Sequence, residues 1–373
     1  MINLFEPNLG QHELTMLEEV AATKWLGRGS YVAQFEELFS DFQKVGREQV
    51  HTIACCTDAI FGVLDILGIC GDDEVVVPSI SFPAIGSGVV KSGARLVVVD
   101  SCAETGNVDL KALSEALTKK TKAVFITHYA GIPVDIERIR KMVGDDVFIL
   151  EDAACALGSF KNGRAVGTEG DFGCWSFDAM KLLTCGEGGG LYFSNPDHVM
   201  QAKEYFYLGL PAQSKSGIDR QGTDDRWWEY QLTMPGRRSV FTNVNAALGI
   251  PQFNTLEAAL EKRVSIRERY VACLDSVGAK YVEQFEEGVT YSNYFFTVLT
   301  PDRDRLAGHL KEHDIYSTFR YYPLHLIGIF DQYSRECPGA YQFSERALNI
   351  PIHQNLSDDE VSQICKALAE FFR

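Results

Sequence analysis

Between residues 51 and 151 the chain alternates short runs of β-branched and aliphatic residues with segments whose apolar residues recur at helical spacing. The pattern predicts strands near 51–54, 74–77, 95–99, 121–127 and 147–151. Helices are expected between them, over 57–67, 82–92, 108–117 and 136–142. Helical connections of this length are crossovers, and crossovers make successive strands parallel. A parallel sheet needs cover on both faces. This repeat therefore places the chain in the α/β class.

Two further strand patterns, 171–177 and 190–194, lie among glycines and bring the expected sheet to seven mostly parallel strands. Helical patterns over 11–24 and 32–44 precede the repeat. Residues 208–240 hold few periodic apolar positions, with Trp227 and Trp228 side by side. This stretch reads as a long surface excursion whose tryptophans suit an interface. A single long helix is expected over 243–273, linking two domains. The remainder mixes a strand (292–299) with helices (303–313 and 358–372). The expected division is a large domain, 1–250, and a smaller C-terminal α+β domain, 251–373.

Composition narrows the function. The chain has 373 residues, enough for two domains at roughly 100–200 residues each. Its 35 basic against 51 acidic residues give a net charge of −16, which disfavours nucleic-acid partners. The start, MINLFEPNLGQHELTM, lacks a basic segment followed by an apolar core, so no signal peptide is expected. No apolar run approaches the ~20 residues of a membrane span. The ten cysteines form no C-x-x-C pair. Free thiols in a reducing cytoplasm are the expectation, without a zinc centre.

The chemistry concentrates in LEDAACALGSFKNGRAVGTEGDFGCWSFDAMKLLTCGEGGG, residues 150–190. The pair Glu151-Asp152 ends an apolar strand, and carboxyl ends of parallel strands face the ligand crevice. Ser176 follows, then Lys181, set between an aromatic strand end and a glycine run. In a desolvated cleft a lysine pKa falls and its amine becomes nucleophilic. An Asp, a hydroxyl and a Lys converging on one cleft suit pyridoxal phosphate. The Lys would form the Schiff base, and the Asp would keep the pyridinium nitrogen protonated.

The same segment resembles the DegT/StrS family of pyridoxal-phosphate sugar aminotransferases, built on the fold-type I scaffold. The resemblance runs nearly end to end. ACCTDAIFGVLDILGI resembles the family's phosphate turn, with Cys56 where glycine is usual and Thr57 and Asp58 at the helix N-terminus. PSISFPAIGSGVVKSGARLVVVD resembles the next unit, in which Phe82 would stack on the pyridine face. HYAGIPVDIERI places His128 near the site. RYYPLHLIGIF resembles the small-domain turn, with Tyr321 and His325. WLGRGSYVAQFEELFSDF resembles the glycine turn at the sugar-binding mouth, with Trp25 and Gly29. Cys155 stands where Gln or His commonly approaches the cofactor's phenolic oxygen. In PGRRSVFTNVNAALG, Arg238 stands at the position of an Asn that reaches the partner subunit's phosphate.

The resemblance implies a homodimer with shared active sites. It also implies amino transfer from L-glutamate (or glutamine) to a keto sugar of the nucleotide-linked kind, by a ping-pong route through a Lys181 Schiff base. Its alternatives are a sugar dehydratase, which Lys181 disfavours, and a regulatory homologue without turnover. Two local patterns are set aside. HLKEH, residues 309–313, fits H-x-x-E-H, but five residues match easily by chance. GEGGG lacks the spacing of a dinucleotide-binding fingerprint.

Overall fold

The computed structural model describes residues 1–212, 229, 231–284 and 286–373. The paired tryptophans 227 and 228 lie outside them. The large sheet contains β1 (Val50–Ile53), β2 (Glu74–Pro78), β3 (Arg95–Val99), β4 (Thr121–Thr127) and β5 (Phe148–Asp152). After the two-residue strands β6 (Phe160–Lys161) and β7 (Arg164–Ala165) come β8 (Phe172–Ser176) and β9 (Gly189–Phe193). The order across the sheet is β1-β9-β8-β5-β4-β2-β3. Only β9 runs against the other six. The mostly parallel, seven-stranded α/β architecture matches the expectation.

Alternate side chains explain why these strands read as continuous apolar runs. Val75, Val77, Phe125 and Leu150 join one core cluster, while Val76, Val124, Ile126 and Ile149 join another. Side chains of successive strand residues point to opposite faces, so both faces are covered. A third cluster, built around Phe35, Phe39, Trp175, Phe177 and Phe241, packs the helix Ser30–Gln43 near the Lys181 turn.

Two expectations change. The helix over 243–273 is two helices, Asn243–Phe253 and Leu256–Ser276. Pro251 in the last turn of the first lacks an N–H and crowds the carbonyl four residues back, and the helix ends within three residues. The strand expected over 292–299 shortens to Phe296–Leu299 (β12). It pairs with β10 (Lys280–Tyr281) and β13 (Ala347–Ile350) in a three-stranded sheet. The third sheet, β11 (Val289–Thr290) with β6 and β7, has strands too short to show periodicity.

The C-terminal elements carry their own apolar cluster, including Tyr270, Val298, Leu310, Ile350 and Ile364, which Ile2 joins from the N-terminus. No helix among the described residues is long and apolar enough to cross a membrane. All ten cysteines are free thiols.

Candidate active site

A cavity of about 420 Å³ opens at the carboxyl ends of β4, β5 and β8. The register explains what lines it. Asp152 pairs with Thr127 on one side and with Cys174 on the other. Two residues beyond Cys174, Ser176 ends β8 and points to the same face. Thr127, Asp152 and Ser176 all line the cavity.

Strand alternation splits the acidic pair. Glu151 turns away from the cavity and is fully buried. It accepts the backbone N–H groups of Gly167 (3.1 Å), Glu169 (2.8 Å) and Gly170 (2.5 Å). His128 Nε2 also donates to it at 2.8 Å, while His128 Nδ1 accepts the Val134 N–H. Glu151 thus fixes the 167–170 loop and one His128 tautomer. Asp152 is differently placed. Among the described residues its carboxylate receives one hydrogen bond, from Ala154 N–H at 3.0 Å. Burial raises its pKa, opposed by that hydrogen bond and by Lys181 and His128. A buried carboxylate this short of donors suits a cationic N–H partner.

Lys181 sits in the turn after β8. Asp178 shapes that turn by accepting the Met180 N–H on its side chain and the Lys181 N–H on its carbonyl. The lysine is 9% exposed. Its Nζ lies 3.7 Å from Cys155 Sγ and 4.6 Å from the centroid of the Tyr294 ring. Burial works to lower its pKa, as expected. Cys155, Tyr294, Tyr321 and Asp178 act the other way, and the net direction is upward, correcting the expected fall.

The helix Cys56–Ile66 begins at the cavity wall with Cys55 as its N-cap and no side-chain cap. Cys56 and Thr57 line the cavity. An uncapped helix N-terminus offers free N–H groups and a positive dipole end to an anion. Asp58 does not line it; its carboxylate is held by Arg237 at 2.6 Å. The glycine run has a steric reason here. A Cβ on Gly189 would stand 2.6 Å from Cys56 N, so a side chain there would displace the helix start.

Phe82 lines the opposite wall and is 43% exposed, so it is no core residue. Its ring meets Tyr321 edge-on at 5.5 Å. Tyr321 OH lies 3.8 Å from Cys155 Sγ. The structure thus gathers Lys181, Asp152, Ser176, Cys56, Thr57, Phe82, Cys155 and Tyr321 around one space. Four other candidates lie outside it. His325 bonds Ser79 Oγ through Nδ1 at 2.6 Å. Arg238 lies over the Tyr207 ring at 5.1 Å. Trp25 is largely exposed and bonds Arg28 O through its indole N–H, and Gly29 lines a second cavity beside Arg28 and Glu36.

Sequence reading missed Tyr294, Tyr129 and Asp178. Tyr294 belongs to an aromatic run, YSNYFF, that reads as core; only the fold brings its ring to Lys181. Asp178 lies in the quoted motif, and its two-residue spacing to Met180 was the available signal of a side-chain turn.

The chain belongs to the DegT/DnrJ/EryC1/StrS aminotransferase family, whose model matches residues 7–369. It is an aminotransferase. Among curated proteins it is 36% identical to the dTDP-4-dehydro-2,3,6-trideoxy-D-glucose 4-aminotransferase of Saccharopolyspora spinosa, over 98% of this chain and 95% of that one. It is 30% identical to the GDP-perosamine synthase of Vibrio cholerae, over 100% and 99%. Among solved structures, the aminotransferase TlmJ from Streptoalloteichus hindustanus superposes with a TM-score of 0.91 at 38% identity, over 99% and 98%. The sugar aminotransferase Spr1654 from Streptococcus pneumoniae, described as putative and solved in its PMP form, gives 0.90 at 25% identity, over the full length of both chains. The same protein has also been solved in a PLP form.

The residues of the cavity fit such a cofactor. A donor-poor buried carboxylate matches a protonated ring nitrogen. An uncapped helix N-terminus beside Ser176 matches a phosphate, and a buried primary amine matches the aldehyde.

Proposed function

We propose that this protein is a pyridoxal-phosphate-dependent aminotransferase that moves an amino group from L-glutamate to a nucleotide-linked keto sugar, in a ping-pong cycle. The observation that carries this reading is the Lys181–Asp152 cavity in a chain 36% identical, over nearly its whole length, to a deoxysugar 4-aminotransferase.

When bound, pyridoxal phosphate supplies an electron sink for the pair left behind as a proton leaves the carbon that carries the amino group. The chain's residues do the rest. Asp152 would accept from the ring nitrogen and keep it protonated. Thr57, the neighbouring N–H groups of the helix start and Ser176 hold the phosphate. Phe82 and Cys155, which line the same cavity, would flank the ring. Lys181, whose buried amine lines the cavity, would hold the group and supply the base that carries the proton. The buried site around Lys181 limits the water that would compete for that proton.

Trp25, Gly29, Tyr321 and His325 are proposed for the sugar mouth and Arg238 for the partner subunit's phosphate, with the active form a homodimer. Arg238, Trp25, Gly29 and His325 do not line their own chain's cavity, which accords with a shared site. The division into domains near residue 250 is proposed at the break between the helices ending at Phe253 and starting at Leu256. A lysine at position 181 favours transamination over the dehydratase reading, and the named aminotransferase relatives favour it over the regulatory one.

The test is the visible spectrum of the purified protein loaded with pyridoxal phosphate. L-glutamate should bleach the band of a lysine-bound pyridoxal group, and a panel of nucleotide-linked keto sugars should restore it. A band that glutamate leaves unchanged would remove the donor assignment. Recovery with none of the sugars would remove the acceptor.

A further inference from the structure

Far from Lys181 in sequence and in a different core, the described residues bring His309, His313 and Glu370 together. His309 lies in the helix Arg303–Glu312, His313 caps that helix, and Glu370 comes from the C-terminal helix Asp358–Phe372. One ligand atom from each lies within 4.8 Å of the others. Two letters of the HLKEH pattern thus find a third ligand in another helix, where the sequence pattern had offered Glu312.

Hydrogen bonding fixes one nitrogen of each ring as a donor. His309 Nε2 lies 2.9 Å from Ala367 O, and His313 Nδ1 lies 2.9 Å from His309 O. A carbonyl oxygen only accepts, so each of those nitrogens carries a hydrogen. In the neutral rings this leaves a lone pair on His309 Nδ1 and on His313 Nε2. An imidazole whose other N–H is tied to a backbone carbonyl is the usual supporting arrangement of a metal-binding histidine. His313 Nε2 faces Glu370 Oε2 at 3.3 Å. A lone pair and a carboxylate this close repel unless a cation or a proton lies between them.

We propose that His309, His313 and Glu370 bind a divalent first-row transition-metal ion of the zinc type. Two imidazoles and one carboxylate select such ions over magnesium or calcium, and water completes the coordination. Bonds of about 2.0–2.1 Å place tetrahedral ligands roughly 3.4 Å apart. The half-exposed His313 and Glu370 side chains can close the remaining distance by rotation. The ion clips the C-terminal helix to the helix Arg303–Glu312. Leu306, Leu310, Val361 and Ile364 of those helices already share one core.

The experiment is equilibrium dialysis of the full-length, cofactor-loaded protein against zinc chloride, comparing wild type with His313→Ala and Glu370→Gln. Cysteine-bound zinc is common to all three, so the difference reports this site. Wild type should retain one more Zn²⁺ per chain than His313→Ala at the same free zinc. Its affinity for that ion should exceed that of Glu370→Gln at least tenfold, and zinc should raise the melting temperature of wild type alone. Equal zinc content and equal melting shifts in all three proteins would overturn the proposal and leave only a direct His313–Glu370 contact. The outcome does not depend on the aminotransferase reading, because no residue of this cluster lines the Lys181 cavity.

Discussion

Lys181 Nζ lies 3.7 Å from Cys155 Sγ, and both side chains are buried at the same wall of the cavity. Burial raises the Cys155 pKa, against the opposing pull of Lys181. The thiol is therefore a neutral neighbour of the amine at ordinary pH, a weak donor and weak acceptor that leaves the lysine free to engage a ligand. The first prediction rests on this amine. Lys181→Ala should lower turnover by at least about 1,000-fold, within the range that a positioned acid–base group contributes. It should also abolish the visible band of the lysine-bound cofactor. The melting temperature of the variant shows whether the loss is chemical or structural.

Asp152→Asn separates chemistry from stability. The asparagine cannot stabilise a protonated ring nitrogen, so activity should fall at least about 100-fold. Stability of the cofactor-free protein should move the other way. The folded-state pKa of Asp152 is raised by burial, so the folded chain binds more protons than the unfolded one just above the ordinary carboxylate range. Stability is lost as pH rises through that window, and a neutral Asn removes the penalty. A cofactor-free D152N that melts below wild type at neutral pH would contradict this account.

A pH-dependent stability is expected from the second cavity, where His51 is buried beside Glu36 and Arg28. Burial, together with the Arg28 charge, lowers the His51 pKa to about 4, although Glu36 works to raise it. Arg28 Nη2 lies 3.1 Å from His51 Nδ1, the geometry of a donor meeting a neutral ring. Between its ordinary value and about 4 the unfolded chain binds the extra proton. Stability should therefore be complete above about pH 6.5 and decline as pH falls toward 4, by up to about 3 kcal/mol. His51→Gln should flatten that slope in chemical denaturation measured across the same range.

Gly189→Ala tests the close approach of strand and helix. Its Cβ would meet backbone atoms of Cys55 and Cys56 at 2.6–2.9 Å, and backbone cannot swing aside as a side chain can. Overpacking of this kind costs about 1–3 kcal/mol. The strain falls on the helix start assigned to the phosphate, so cofactor affinity should drop at least about tenfold by fluorescence titration. Unchanged affinity would detach that helix start from the phosphate.

Much of this was legible in the chain itself. The strand–helix alternation and the both-face burial of β2, β4 and β5 follow from runs such as EVVVP and TKAVFIT, because a parallel sheet covered on two sides needs little else. Asp152, Ser176 and Lys181 were visible because a strand end and a glycine-flanked turn place chemistry at a crevice. Tertiary structure decided the rest. It decided which face of β5 meets the cavity, giving Asp152 to the cavity and Glu151 to a loop. It carried Tyr294 to Lys181 and Glu370 to two histidines from distant parts of the chain, and left Arg238, Trp25, Gly29 and His325 away from their own cavity. Local pattern reports the period of a segment and the chemistry of its ends. Which distant side chain completes a site depends on how the layers pack, and that is a property of the whole folded chain.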